Sequence, residues 1–132
     1  MIFNVFYDVQ CMFLYCESLE DLDLTSFNTS KVRNMYCMFE NCSSIENLNI
    51  SNWDTSNVTD MAFMFQGLNR LVNLDISNFS TSKVTNMGMM FHNCTLLKDL
   101  DVSNFDMFNV KDISGIFDDC KYKHTFKVKV TI

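Results

Sequence analysis

Four kinds of side chain in this sequence have the types and spacing to do chemistry: acids, histidines, cysteines and methionines. The acids, with related amides, form two columns at a spacing of 26 residues. One is Asp21, Asn47, Asn73 and Asp99; the other is Asp23, Asn49, Asp75 and Asp101, with Glu20 and Glu46 beside them. Aligned on one face, they would form an acidic, amide-rich strip suited to a basic or hydrogen-bond-rich protein partner. The plain alternative is a solvated face that keeps the protein soluble. Calcium is not expected between Asp75 and Asp101. It takes about six to eight oxygens from a loop that wraps it, and a flat strip does not wrap. Lys127 would also stand next to Asp101.

His92 and His124 are the only histidines and lie more than one repeat apart. His92 is expected on the solvent side of a helix end. No Gly-rich phosphate loop, His-Glu-x-x-His pair or nucleophile elbow occurs. Cys-His catalysis would need Cys94 near His92, but Cys94 falls in an apolar column with Cys16, Cys42 and Cys120, where Leu68 takes the remaining place. Free cysteine behaves as a small hydrophobe, so buried thiols are expected there. Cys11 and Cys37 share a second column with Phe63, Met89 and Gly115. Adjacent strands lie roughly 5 Å apart, within the separation a disulfide spans, so a Cys11–Cys37 bridge stays open as an alternative to free thiols. The methionine columns (Met35, Met61 and Met87; Met12, Met38, Met64 and Met90) read as adaptable core filler. No enzyme activity, catalytic residue, metal or cofactor is expected.

The elements that must hold these residues repeat without a gap. Phe27, Trp53, Phe79 and Phe105 are 26 apart, and so are Phe13, Phe39, Phe65, Phe91 and Phe117. A period of this length signals a solenoid. Within one copy, Val58, Met61, Phe65 and Leu68 sit at i, i+3, i+7 and i+10, the apolar stripe of an amphipathic helix about ten residues long. Ser30, Ser56 and Ser82 precede the stripes as N-cap residues. Asn41, Gly67, Asn93 and Asp119 follow them, and these types accept the left-handed conformation that stops a helix. Next come Leu-x-x-Leu-x-Leu segments such as Leu71, Leu74 and Ile76, which predict a short strand with one buried face. Asn52, Asn78 and Asn104 then read either as plain turn residues or as amide donors to the backbone of the next coil. The tail Phe126–Ile132 alternates as a terminal strand would.

The bulk numbers bound the function. The 132 residues are one domain's worth, expected as a single domain 1–132 with units near 1–26, 27–52, 53–78, 79–104 and 105–132. The net charge of −6 argues against nucleic acid and anionic lipid as partners. No apolar run approaches the roughly 18–20 residues of a membrane span. Met1 to Tyr15 is hydrophobic but has neither a basic n-region nor a small-residue cleavage site, so it does not read as a signal peptide. The expectation is a protein that is not exported, or a piece of a longer one. Phe3, Phe6 and Tyr7 would leave the N-terminal end of a solenoid apolar and open to self-association.

The string Leu74-Asp75-Ile76-Ser77-Asn78-Phe79-Ser80-Thr81-Ser82-Lys83-Val84-Thr85-Asn86-Met87, with Met90-Phe91-His92-Asn93-Cys94 after it, resembles the BspA-like leucine-rich-repeat family of surface proteins and lipoproteins. The likeness covers nearly the whole chain. It implies an α/β leucine-rich-repeat solenoid, right-handed, with about five units, parallel strands on one face and short helices on the other. It also implies surface adhesion or host-protein binding, at the cell surface or after secretion, and no catalytic residues. The last unit departs from the pattern, with Met107 and Phe108 where Thr-Ser is expected. Neither the export signal nor the anchor of such proteins is expected among these residues. A structural segment of a longer repeat array, with no ligand of its own, is the alternative.

Overall fold

The computed structural model describes residues 6–124. In it the sequence period is a physical one. Isolated parallel bridges join Asp8 to Asn34, Asn34 to Asp60, Asp60 to Asn86 and Asn86 to Asp112. The chain is a stack of superposed coils, one per repeat unit. The elements expected inside each coil do not form. Among the described residues there is no helix, and strand pairing is confined to isolated bridges. The regular helix-and-strand repeat of a leucine-rich-repeat solenoid is therefore not the architecture.

The reason lies in where the amides go. A helix sends each N–H to the carbonyl four residues back. From Met61 to Leu68 the amides divide instead. Met61, Phe63, Phe65 and Gly67 donate to Asn86, Gly88, Met90 and His92 of the next coil, at 3.0, 3.0, 2.9 and 2.9 Å. Met64, Gln66 and Leu68 donate to Met61, Phe63 and Phe65, three residues back, as β-turns do. Ala62 N donates to Asp60 Oδ1 at 2.9 Å. Every amide in the segment is used, and none is used helically. Alternating turns of this kind need a left-handed residue at regular places, and two columns supply it. Cys11, Cys37, Phe63, Met89 and Gly115 form one; Tyr15, Asn41, Gly67, Asn93 and Asp119 form the other, with φ between 46° and 75°. The second column is the one whose types suggested a helix stop. The first, four residues earlier, breaks the would-be helix in its middle.

The apolar stripe could not reveal this. Successive i→i+3 turns bury residues nearly as often as a helix does, so Val58, Met61, Met64, Phe65 and Leu68 are all buried without one. Ser56 is likewise no N-cap: its N–H donates to Asp54 Oδ1 at 2.9 Å, and Ser30 N does the same to Asn28 Oδ1 at 3.1 Å. These are Asx turns, in which a short acid or amide side chain imitates the backbone of a turn.

Stacking makes each core residue meet its own copy. Phe13, Phe39, Phe65, Phe91 and Phe117 form a column of stacked rings with successive centroids 5.5, 5.9, 5.5 and 5.6 Å apart. Trp53 and Phe79 pack beside it. Polar columns bind coil to coil. Thr55 is buried; its hydroxyl donates to Ser80 O and accepts from Ser80 N, both at 2.9 Å. Thr29 and Thr81 do the same to Asp54 and Asp106. The asparagines after each Leu-x-Leu are amide donors, and they reach the preceding coil rather than the next: Asn78 Nδ2 to Trp53 O at 2.7 Å, Asn104 Nδ2 to Phe79 O at 2.9 Å. The terminal strand expected over 126–132, with Lys127, and the apolar residue Phe3 lie outside the described residues.

Two outcomes test this backbone. Thr55→Val strips both hydrogen-bonding partners from Ser80 and is expected to cost about 1–3 kcal/mol by urea unfolding. Gly67→Ala forces a Cβ into the Asn41 side chain at a φ of +75° and should also destabilise. Far-ultraviolet circular dichroism of the wild type should lack the α-helical double minimum.

Candidate binding strip

The Leu-x-Leu segments are extended arms. Their alternation is as the sequence predicts: Leu48, Ile50, Leu74 and Ile76 are buried, and Asn47, Asn49, Asn73 and Asp75 between them are exposed. Asp21, Asp23, Asp99 and Asp101 are exposed as well, so all eight strip residues face solvent. The arms do not zip into a sheet. Among the described residues their one bridge is Asn73 with Asp99, beside Lys98 N donating to Val72 O at 2.8 Å. The spaces between arms open as two shallow depressions. One, about 300 Å³, is lined by Asn73, Asp75, Ser77, Asp99 and Asp101, with Leu74 and Ile76 at its floor. The other, about 290 Å³, is lined by Asn47, Asn49, Ser51, Asn73 and Asp75, with Leu48 and Ile50. Six of the eight predicted residues are thus gathered along one seam. Asp21 and Asp23 lie beyond it.

The two strip columns differ in role. Asp23, Asn49, Asp75 and Asp101 each accept, through Oδ1, the amide two residues on: Thr25 at 3.0 Å, Ser51 at 3.2 Å, Ser77 at 3.0 Å and Ser103 at 2.8 Å. The hydroxyls of Thr25, Ser51 and Ser77 donate to the same oxygens at 2.7, 2.7 and 2.6 Å. This column builds the turn that closes each arm. Those hydrogen bonds, the side-chain hydroxyl first, hold the Asp23 and Asp75 carboxyls below the ordinary carboxylate range. Asp21, Asn47, Asn73 and Asp99 make no side-chain hydrogen bond among the described residues. Glu46, at the strip's edge, is paired with Arg70. Ser51 and Ser77 were missed by sequence reasoning. The signal was present as a repeated Asp/Asn-x-Ser/Thr at the end of every arm.

His92 is not simply an exposed ring. Its Nδ1 lies 3.2 Å from Gln66 Nε2 and its Nε2 lies 3.0 Å from Asp119 Oδ2. A neutral imidazole meets both only with its proton on Nε2. The ring is thereby spent on joining three coils. Cys94 is buried, with its thiol donating to Phe65 O at 3.0 Å. Cys11 and Cys37 are bridged across adjacent coils, which resolves the alternative left by their spacing. The described residues contain no cluster of three or more His, Cys, Asp or Glu placed to hold a metal, and no helix long and apolar enough to cross a membrane.

Comparison with known proteins gives one match. The family described as "Mycoplasma protein of unknown function, DUF285" matches residues 7–129. No curated protein and no solved structure matches.

The turn column makes acid sensitivity predictable. A carboxyl whose folded pKa is depressed contributes stability that is present above its unfolded pKa and lost as pH falls through the folded one. The melting temperature should therefore be flat above about pH 5 and fall on acidification through and below the carboxylate range, near pH 4. Asp75→Asn keeps the Oδ1 acceptor, as Asn49 does naturally, and should flatten that fall in melts recorded across the range.

Proposed function

We propose that this chain, which belongs to the DUF285 family of Mycoplasma proteins of unknown function, is a non-catalytic protein-binding module that docks a partner on its exposed strip. One observation carries the reading. The other repeated polar columns are engaged in turns and inter-coil bonds, whereas the side chains of Asp21, Asn47, Asn73 and Asp99 stand exposed and unengaged, the last three of them beside two open depressions. The fitting partner is a protein segment that is basic or rich in hydrogen-bond donors, because the strip offers acids and amides and the chain carries −6 overall. The resemblance to BspA-like repeats supports adhesion to host proteins at a cell surface. The Cys11–Cys37 bridge supports that location too, since disulfides persist on the oxidising side of a membrane.

The test removes charge without removing the turns. Beads coated with the wild type are expected to adhere to host-cell monolayers, with retention falling as salt rises. The triple variant Asp75→Asn, Asp99→Asn and Asp101→Asn should lower retention at least several-fold while its melting temperature stays close to that of the wild type. Equal retention of the two proteins would sink the strip as the binding face. Absence of retention for both would favour a structural segment of a longer array.

A further inference from the structure

The six cysteines fall into three pairs: Cys11 with Cys37, Cys16 with Cys42, and Cys94 with Cys120. The members of each pair are 26 residues apart, one step of the stack. The first pair is bridged, with its Cα atoms 4.8 Å apart, inside the separation disulfides span. The other two pairs stand in a single column that Leu68 divides between them. Coil spacing is held tightly just before each of these cysteines: Tyr15 N donates to Glu40 O at 2.9 Å and Asn93 N to Asp118 O at 2.8 Å.

The thiols also point the right way. Cys42 Sγ lies 3.0 Å from Phe13 O, the carbonyl that accepts the Cys16 amide at 3.1 Å. Cys120 Sγ lies 3.2 Å from Phe91 O, the carbonyl that accepts the Cys94 amide at 3.2 Å. In both pairs the later thiol reaches down to the turn that carries the earlier one. Each pair has one member that is fully buried and one that is partly exposed: Cys42 with Cys16, and Cys94 with Cys120. Each pair therefore offers a small disulfide one accessible attacking thiol and one nearby resolving thiol.

We propose that Cys16–Cys42 and Cys94–Cys120 are two further disulfide sites, closed by exchange with a small disulfide such as oxidised glutathione and clasping the first coil to the second and the fourth to the fifth. The exchange balances without any other oxidant. The thiolate of Cys16 or Cys120 attacks one sulfur of the small disulfide and releases its first thiol. Cys42 or Cys94 then attacks the mixed disulfide and expels the second. Two electrons and the two cysteine protons end on the two small thiols. Burial sets the timing. It pushes the Cys42 thiol up to about 11 and the Cys94 thiol up to about 12, so few thiolates exist near neutrality while the stack is closed. Closure belongs to folding or local opening.

The experiment refolds the whole chain from the reduced, denatured state in a glutathione redox buffer, blocks remaining thiols by alkylation, and maps peptides without reduction. The expected map contains Cys16–Cys42 and Cys94–Cys120 links beside Cys11–Cys37. The expected melting temperature is several degrees above that of protein refolded under reductant. Cys42→Leu, which copies Leu68, should free Cys16 alone for alkylation. Four alkylated thiols beside a lone Cys11–Cys37 bridge would overturn the proposal, and so would links between non-adjacent coils such as Cys42–Cys94. Should the variant fail to fold, the wild-type map decides by itself.

Discussion

Everything in this fold depends on how one short segment of each coil disposes of its amides. Buried backbone donors must be paired, and a segment has few ways to do it. A helix pairs them within itself; a strand pairs alternate ones with each neighbour. The segments from Val9 to Cys16 and its copies adopt a mixture of the two. Amides such as those of Cys11 and Phe13 cross to the next coil, while Met12 and Leu14 close turns inside their own coil. The crossing bonds set the coil spacing, and the spacing brings the phenylalanine column into register. The turns curl the chain so that each coil returns one unit later. Left-handed φ at two places per coil is the condition for both.

That condition marks the boundary of what was legible. The 26-residue period, the buried columns, the buried-out alternation of the arms and the left-handed stop at Asn41, Gly67, Asn93 and Asp119 could all be read from residue types. The other left-handed column, four residues earlier in each coil, could not. It holds Phe63, Met89, Cys37 and Cys11, residues that ordinarily avoid positive φ, and Gly115 alone hints at it. A position dictated by its neighbours in the stack carries no local propensity to read. The same holds for Thr29, Thr55 and Thr81. Their types suggest a turn, whereas their role, paired donor and acceptor to the coil above, exists only once coils are stacked. The strip was legible as a set of exposed residues. Its division into a turn-building column and an unengaged one was not, because Asp75 and Asn73 look alike in sequence and differ only in the serine two residues beyond Asp75.

In a stack, each coil contacts only its neighbours, so stability is close to a sum over junctions and the weakest one governs opening. The junctions here are not equal. Threonine pairs bind the second coil to the third, the third to the fourth and the fourth to the fifth, through Thr29, Thr55 and Thr81. The corresponding position in the first unit is Phe3, which has no hydroxyl to offer. The junction between the first and second coils is the one that carries the Cys11–Cys37 bridge. A covalent link that closes a loop restricts the unfolded chain and opposes separation of the two coils it joins. The disulfide thus stands at the junction where the repeating threonine is missing; the second-to-third and third-to-fourth junctions have the hydroxyl pair and no cysteine pair, and the fourth-to-fifth has both the Thr81 hydroxyl pair and Cys94 with Cys120.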